Sequence, residues 1–183
     1  MNFLGRFLFF RILGWRFEGD FPQLNQFILA VVPHTHSMDF LIGLLTRASL
    51  GEQINYVGKK ELFGPLTGWF FRALGGRAVD RGKNLNTVDA IAEVFKKNKV
   101  FRLALAPEGT RKRVSHLKTG FYHIAKQAKV PILPVGFDYK NKKVIFFPLF
   151  EPTASLSADF KKLEGYFYGI EGKIPEKSYY KTD

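Results

Sequence analysis

Short apolar runs, each closed by a proline, a glycine or a polar cluster, alternate along this chain with segments whose apolar residues recur at helical spacing. Residues 26–32 (QFILAVV) form one such run and stop at Pro33, the pattern of a buried strand. Residues 39–50 read as a helix and 54–57 as a second strand. Residues 62–74 read as a helix with turn signals at Gly64-Pro65, and 77–79 as a further short strand. Val88, Ile91, Ala92 and Phe95 follow i, i+3, i+4, i+7, an amphipathic helix that ends in the basic residues 96–99. Residues 100–106 (VFRLALA) predict a strand closed by Pro107, and 121–129 a helix with Ile124, Ala125 and Ala128 inward. Strands at 131–137 and 143–147 flank a hairpin loop at 138–142. A last helix at 159–169 uses Phe160, Leu163 and Phe167. Strands alternating with helices predict a single α/β domain with a mostly parallel central sheet flanked by helices. Ligand sites in such sheets lie at the carboxyl ends of strands.

The first residues break this rhythm. MNFLGRFLFFRILGWRF is interrupted by Arg6, Arg11 and Arg16, so its apolar runs are four residues long. A bilayer span needs about 20 predominantly apolar residues, and a secretory signal needs an uninterrupted core and a small-residue cleavage site. Neither description fits. Two readings stay open for residues 1–20: a helix buried against the domain with its arginines reaching out, or an interfacial membrane anchor. Residues 21–183 are expected to form the domain proper, with no internal repeat and no linker-like tract.

Composition changes the picture in two respects. The chain has 183 residues, 46% of them hydrophobic, with 20 Phe, enough for a sizeable core and against disorder. It has no Cys, which excludes disulfides, thiolate metal sites and a cysteine nucleophile. Its 28 Lys+Arg against 16 Asp+Glu give a net charge of +12, which calls for anionic partners. From Lys96 to Lys126 nine basic residues face one acid, Glu108, a net +8. No nucleic-acid module signature accompanies that charge, so nucleic acid is not among the expected partners. There is also no Gly-x-Ser-x-Gly elbow, Walker loop or Gly-x-Gly-x-x-Gly.

Candidate chemistry falls after two predicted strands. In Pro33-His34-Thr35-His36-Ser37-Met38-Asp39 a His and an Asp follow a strand and open a helix. On an ideal helix, residues five apart differ by about 140° and ~7.5 Å of rise, so His34 meets Asp39 only if the turn folds back. Asp39 then fixes the imidazole tautomer and leaves the other ring nitrogen as a base. His36, at i to i+3, is the alternative partner of Asp39. A metal site built on His34-x-His36 lacks the Asp and further His that a binuclear hydrolase cluster wants, so no metal is expected. The second constellation, Ala106-Pro107-Glu108-Gly109-Thr110-Arg111-Lys112-Arg113, sets a carboxylate, a glycine turn and a cationic cluster at a strand end, a combination suited to a phosphorylated group. A weaker third piece is Gly75-Gly76-Arg77-Ala78-Val79-Asp80-Arg81.

Together these segments resemble the lysophospholipid acyltransferases, of which the 1-acylglycerol-3-phosphate acyltransferases are the best-known members. Four blocks occur in the family's order: His34-x-x-x-x-Asp39, Gly76 to Asp80-Arg81, Glu108-Gly109-Thr110-Arg111, and Val130-Pro131-Ile132-Leu133-Pro134-Val135. Two positions depart from the usual pattern, His36 where Ser or Thr is common and Lys112 where Ser is common. Both departures bear on acceptor choice. The resemblance implies direct acyl transfer to a hydroxyl of a lysolipid from acyl-CoA or acyl carrier protein, with no cofactor beyond that donor. It assigns His34 as base and Asp39 as its support. Arg81, Glu108, Gly109, Thr110 and Arg111 would bind the acceptor, Pro134 would shape the pocket wall, and His36, Gly76 and Lys112 are further candidates. It further implies a compact, peripheral protein at the cytoplasmic face of an anionic membrane. The rival readings are a non-enzymatic basic membrane binder and a metal-dependent hydrolase using His34 and His36.

Overall fold

A computed structural model describes residues 3–79 and 87–179. Seven strands form one sheet in the order β1-β7-β6-β2-β5-β3-β4: β1 (Arg16–Glu18), β2 (Gln26–Val32), β3 (Asn55–Lys59), β4 (Gly76–Val79), β5 (Phe101–Leu105), β6 (Ile132–Asp138) and β7 (Lys143–Phe146). All neighbouring pairs are parallel except β6 with β7, which the loop at 138–142 joins as a hairpin. The mostly parallel sheet expected from the sequence is thus present, with β1 and β7 reversed at one edge.

Strand periodicity of two divides the core. From β2, Ile28 and Ala30 enter a cluster with Ile91, Phe95, Tyr122 and Ile124, contributed by α4 (Thr87–Lys97) and α5 (Gly120–Ala128). Phe27 and Leu29 enter the cluster on the other face, with Phe9, Trp15, Ile42 and Phe137. Ile42 comes from α2 (Met38–Leu50). Being covered on both faces is why β2 reads as an unbroken apolar run.

Several boundaries differ from expectation. Residues 62–74 do not make one helix: a 3-10 turn (Lys60–Phe63) and α3 (Gly68–Ala73) stand either side of Gly64-Pro65, since proline cannot continue the first segment. The last helix, α6 (Leu156–Gly165), lies three to four residues earlier than expected. Its Asp159 side chain turns back to accept from Thr153 and from the buried Tyr122 hydroxyl. Nor do all the cations of the Lys96–Lys126 stretch face solvent. Arg102 is buried, paired with Glu52 at 2.7 Å and bonded to the Leu24 carbonyl at 2.7 Å.

The amino-terminal segment belongs to the core on one side. Helix α1 (Phe3–Arg6) runs into a π-turn (Phe7–Ile12), and β1 then joins the sheet beside β7. Gly5 lies so close to α2 that an added Cβ would meet the Ala48 Cβ at 2.6 Å, while Phe9 is fully buried. On the outer side Phe3, Leu4, Phe7 and Ile12 are exposed. Among the described residues no helix is long and apolar enough to cross a membrane. Because Phe9 is wholly enclosed, Phe9→Ala is expected to destabilise the domain by about 3–5 kcal/mol, the cost of emptying a buried aromatic site. Urea unfolding measures this, and a loss near zero would make residues 3–12 an appendage rather than part of the fold.

Candidate active site

The carboxyl end of β2 leads through Pro33 into a turn before α2 begins at Met38. Residues 34–37 are not helical. The Asp39 amide donates to the His36 carbonyl at 3.2 Å and the Phe40 amide to that of Ser37 at 3.2 Å, so the turn folds His34 back over the first turn of α2. His34 Nδ1 thereby stands 3.1 Å from Asp39 Oδ2, a half-exposed imidazole on a carboxylate whose side chain is only 3% exposed.

That oxygen also accepts from the amides of Thr35 at 2.8 Å and His36 at 2.9 Å. The other oxygen, Oδ1, accepts from the Tyr139 hydroxyl at 2.6 Å. Burial alone would raise the Asp39 pKa. The donors from His34, His36, Tyr139 and Thr35 outweigh it and hold the carboxyl below its usual range, so it stays ionised. The Tyr139 phenol moves the opposite way, pushed up by burial and by the Asp39 charge. An anionic Asp39 fixes the proton of His34 on Nδ1 and leaves Nε2 as an acceptor. His36 reaches Asp39 only through its backbone. Its ring Nδ1 accepts from the Met38 amide at 3.1 Å and so closes the start of α2.

Glu108 approaches the same turn from the end of β5. It is fully buried, and its Oε2 accepts the His34 amide at 2.5 Å. Its Oε1 has no hydrogen-bond partner among the described residues. Burial dominates here and raises the Glu108 carboxyl to about 7 against the pull of the His34 amide and imidazole. The next residue, Gly109, has φ +63, a left-handed backbone that glycine adopts without strain. The Thr110 hydroxyl accepts from the Lys112 amide at 3.2 Å, and Arg111, Lys112 and Arg113 are exposed beyond it.

An apolar cavity of about 240 Å³ lies between α2 and the sheet. Leu29, Val31, Gly43, Leu44, Tyr56 and Val135 line much of it, and His34 and Asp39 stand in its wall. Not every anticipated residue comes here. Pro134 lies in β6 with its side chain outside the cavity lining, where its neighbours Val135 and Phe137 sit instead. Gly76 opens β4 level with Tyr56, and a Cβ there would strike the Phe71 carbonyl at 2.7 Å, a packing role. Arg81 lies outside the described residues. Tyr139 gave no signal in the sequence, because a loop aromatic 100 residues from Asp39 has nothing local to mark it.

A half-exposed histidine on a buried aspartate thus stands at a strand end, in the wall of an apolar slot in a mostly parallel α/β sheet. The chain belongs to the Acyltransferase family, whose model matches residues 16–138. It is 41% identical over 86 residues to the 1-acyl-sn-glycerol-3-phosphate acyltransferase of Saccharomyces cerevisiae, covering 42% of this chain and 28% of that protein. It is 38% identical over 95 residues to the enzyme of that name from Escherichia coli, covering 48% of this chain and 38% of the other. The matched stretch thus spans less than two fifths of either relative. The crystal structure of the 1-acyl-sn-glycerophosphate acyltransferase of Thermotoga maritima superposes with a TM-score of 0.57 at 20% identity, over 86% of this chain and 71% of that one, and shares the fold.

The state of Glu108 can be read in stability. The unfolded chain holds this carboxyl near 4.5 and the native chain near 7, so the native state binds more protons between those values. Stability from this group therefore falls as pH rises through that window. Glu108→Gln keeps an acceptor for the His34 amide without the charge, and should gain stability relative to the parent between about pH 5 and pH 8. Thermal midpoints of both proteins at the two pH values test this, and parallel curves would return Glu108 to the ordinary carboxylate range.

Proposed function

We propose that this protein transfers a fatty acyl group from a thioester, acyl-CoA or acyl carrier protein, to a hydroxyl of a lysophospholipid-like acceptor such as 1-acylglycerol-3-phosphate. The observation that carries the reading is the placement of the His34–Asp39 pair in the wall of an apolar cavity, 3.1 Å apart, in a chain of the Acyltransferase family. His34 Nε2 accepts the proton of the acceptor hydroxyl as its oxygen attacks the thioester carbonyl. Asp39 stabilises the imidazolium that forms. The tetrahedral adduct then expels the thiolate, which takes the proton back from His34, so the enzyme ends the cycle unchanged and carries no acyl group itself.

The cavity suits the hydrocarbon part of a substrate, since its lining is almost wholly apolar. The exposed cations from Arg111 to Arg113 supply charge-assisted donors for a phosphate, beside the Glu108-Gly109 turn. Membrane attachment is read from the outer side of the amino-terminal segment. There Phe3, Leu4, Phe7 and Ile12 are exposed with Arg6 and Arg11 among them, the composition of an interfacial surface on anionic lipid. The same residues support a peripheral position on a membrane, which we assign to its cytoplasmic face from the family resemblance alone.

Thiol release from acyl-CoA and from acyl carrier protein, with and without a panel of lysolipids, tests the assignment. His34→Ala should lower acceptor-dependent turnover by roughly 10²–10⁴-fold while the fold is kept, and His36→Ala should lower it far less. Full turnover in a folded His34→Ala protein would reject the assignment. Gly43 offers a second test, because nothing lies within 4 Å of a Cβ built on it. Gly43→Leu should fill the cavity and lower the rate with long-chain donors relative to short ones. An unchanged chain-length profile would remove the cavity from the substrate path.

A further inference from the structure

We propose that Tyr139 is a positioning residue for the His34–Asp39 pair, its hydroxyl holding the Asp39 carboxylate in the orientation that presents Oδ2 to the imidazole. This rests on the His-Asp reading above and adds a third member that acts on Asp39 and touches no substrate.

The argument begins with how the donors are shared. Oδ2 of Asp39 takes three: the Thr35 amide, the His36 amide and His34 Nδ1. Oδ1 takes the Tyr139 hydroxyl at 2.6 Å. Two amides converging on one oxygen pin that oxygen but leave the plane of the carboxylate to be set by whatever binds the second. Without the hydroxyl, Oδ1 would be buried and short of a donor, a costly state. Rotating the carboxylate would relieve it by spreading the amides over both oxygens. That rotation draws Oδ2 away from His34, whose link to Asp39 is the longest of the four.

Tyr139 is itself held from three directions. It follows directly on β6, all seven residues of which are buried. Its ring meets the Trp15 ring edge-on, with centroids 4.9 Å apart and planes at 90°. Its amide donates to the Glu171 carbonyl at 2.8 Å, and the adjacent Lys140 pairs with the Glu171 carboxylate at 2.8 Å. A tyrosine kept only for packing would need some partner for its hydroxyl. Here the partner is the one carboxylate on which the base depends.

The test is Tyr139→Phe, which keeps the ring against Trp15 and removes one oxygen. With acyl-CoA and the best lysolipid of the panel, kcat should fall roughly 10- to 100-fold, the fold-change expected for losing a hydrogen bond to a charged group. KM for donor and acceptor should stay as in the parent, and the melting temperature should fall by only a few degrees, since the ring against Trp15 is kept and one hydrogen bond is lost. In an Asp39→Asn background, assayed at high enzyme concentration, Tyr139→Phe should cause no further loss, because the tyrosine acts through the carboxylate. An unchanged kcat in folded Tyr139→Phe, an effect confined to KM, or losses that multiply with Asp39→Asn would each overturn the proposal. Those results alongside an inactive His34→Ala would leave the His-Asp reading standing. Full turnover in His34→Ala would instead remove the reading on which the proposal rests.

Discussion

A carboxylate taken out of water is costly unless donors surround it, and the turn between β2 and α2 is organised by one that is surrounded. Asp39 gathers two backbone amides, an imidazole and a phenol from the end of β2, the start of α2 and the end of β6. The turn at 34–37 is shaped by amides pointing at this carboxylate, with the buried Thr35 side chain packed beside Gly172. Glu108 supports it from β5 by accepting the His34 amide. The two acids sit on either side of one histidine, and their environments push them apart: Asp39 is held ionised by its donors, whereas Glu108, one oxygen of which has no partner among the described residues, is raised towards neutrality. The difference lies in the number of donors, since both are buried.

The sheet then decides what lies next to that turn. Because β2 is parallel to β5 and β6 on either side, all three end at the same edge of the sheet. The polar residues that follow β2 and β5 therefore collect there, while the alternate side chains Leu29, Val31, Ala104 and Val135 face α2 as an apolar wall. Gly43, without a side chain, leaves the space beneath α2 unfilled. One architecture thus yields an apolar slot with a polar corner.

Much of this was legible in the sequence where the controlling interactions are local. β2, α4, α5, β6 and the hairpin to β7 followed from periodicity and turn residues, because each is a long or strongly patterned segment. β1 was missed: Arg16–Glu18 is three residues long and becomes a strand only by pairing with β7, more than 120 positions away. His34 and His36 could not be separated by spacing alone. The choice depends on a turn whose shape is fixed by Tyr139 and Glu108 as well as by Asp39, and neither is near in sequence. Arg102 shows the same limit, a member of a basic run whose partner Glu52 is 50 residues distant. Pro134 is different, since strand alternation alone sets it out of phase with Leu133 and Val135, which face the α2 side. The resemblance implies a pocket-wall role for Pro134, and the cavity beside α2 is lined by Val135 and Phe137.

The two sequence readings of the amino-terminal segment are compatible. Gly5, Phe9 and Trp15 are bound into the domain, and Phe3, Leu4, Phe7 and Ile12 remain outside. An apolar surface carried on a flexible tether would leave the domain free to tumble above a membrane. Here the exposed side chains stand on residues whose opposite side packs into the same cluster as Leu29, Val135 and Phe137, three residues of the cavity wall. Any surface that captures Phe3 and Phe7 therefore fixes the orientation of the cavity as well. Trp15 extends this connection, packing on Tyr139, which in turn bonds to Asp39. The segment that offers the exposed apolar surface and the His34–Asp39 pair are thus parts of one packed unit, and neither can reorient without disturbing the other.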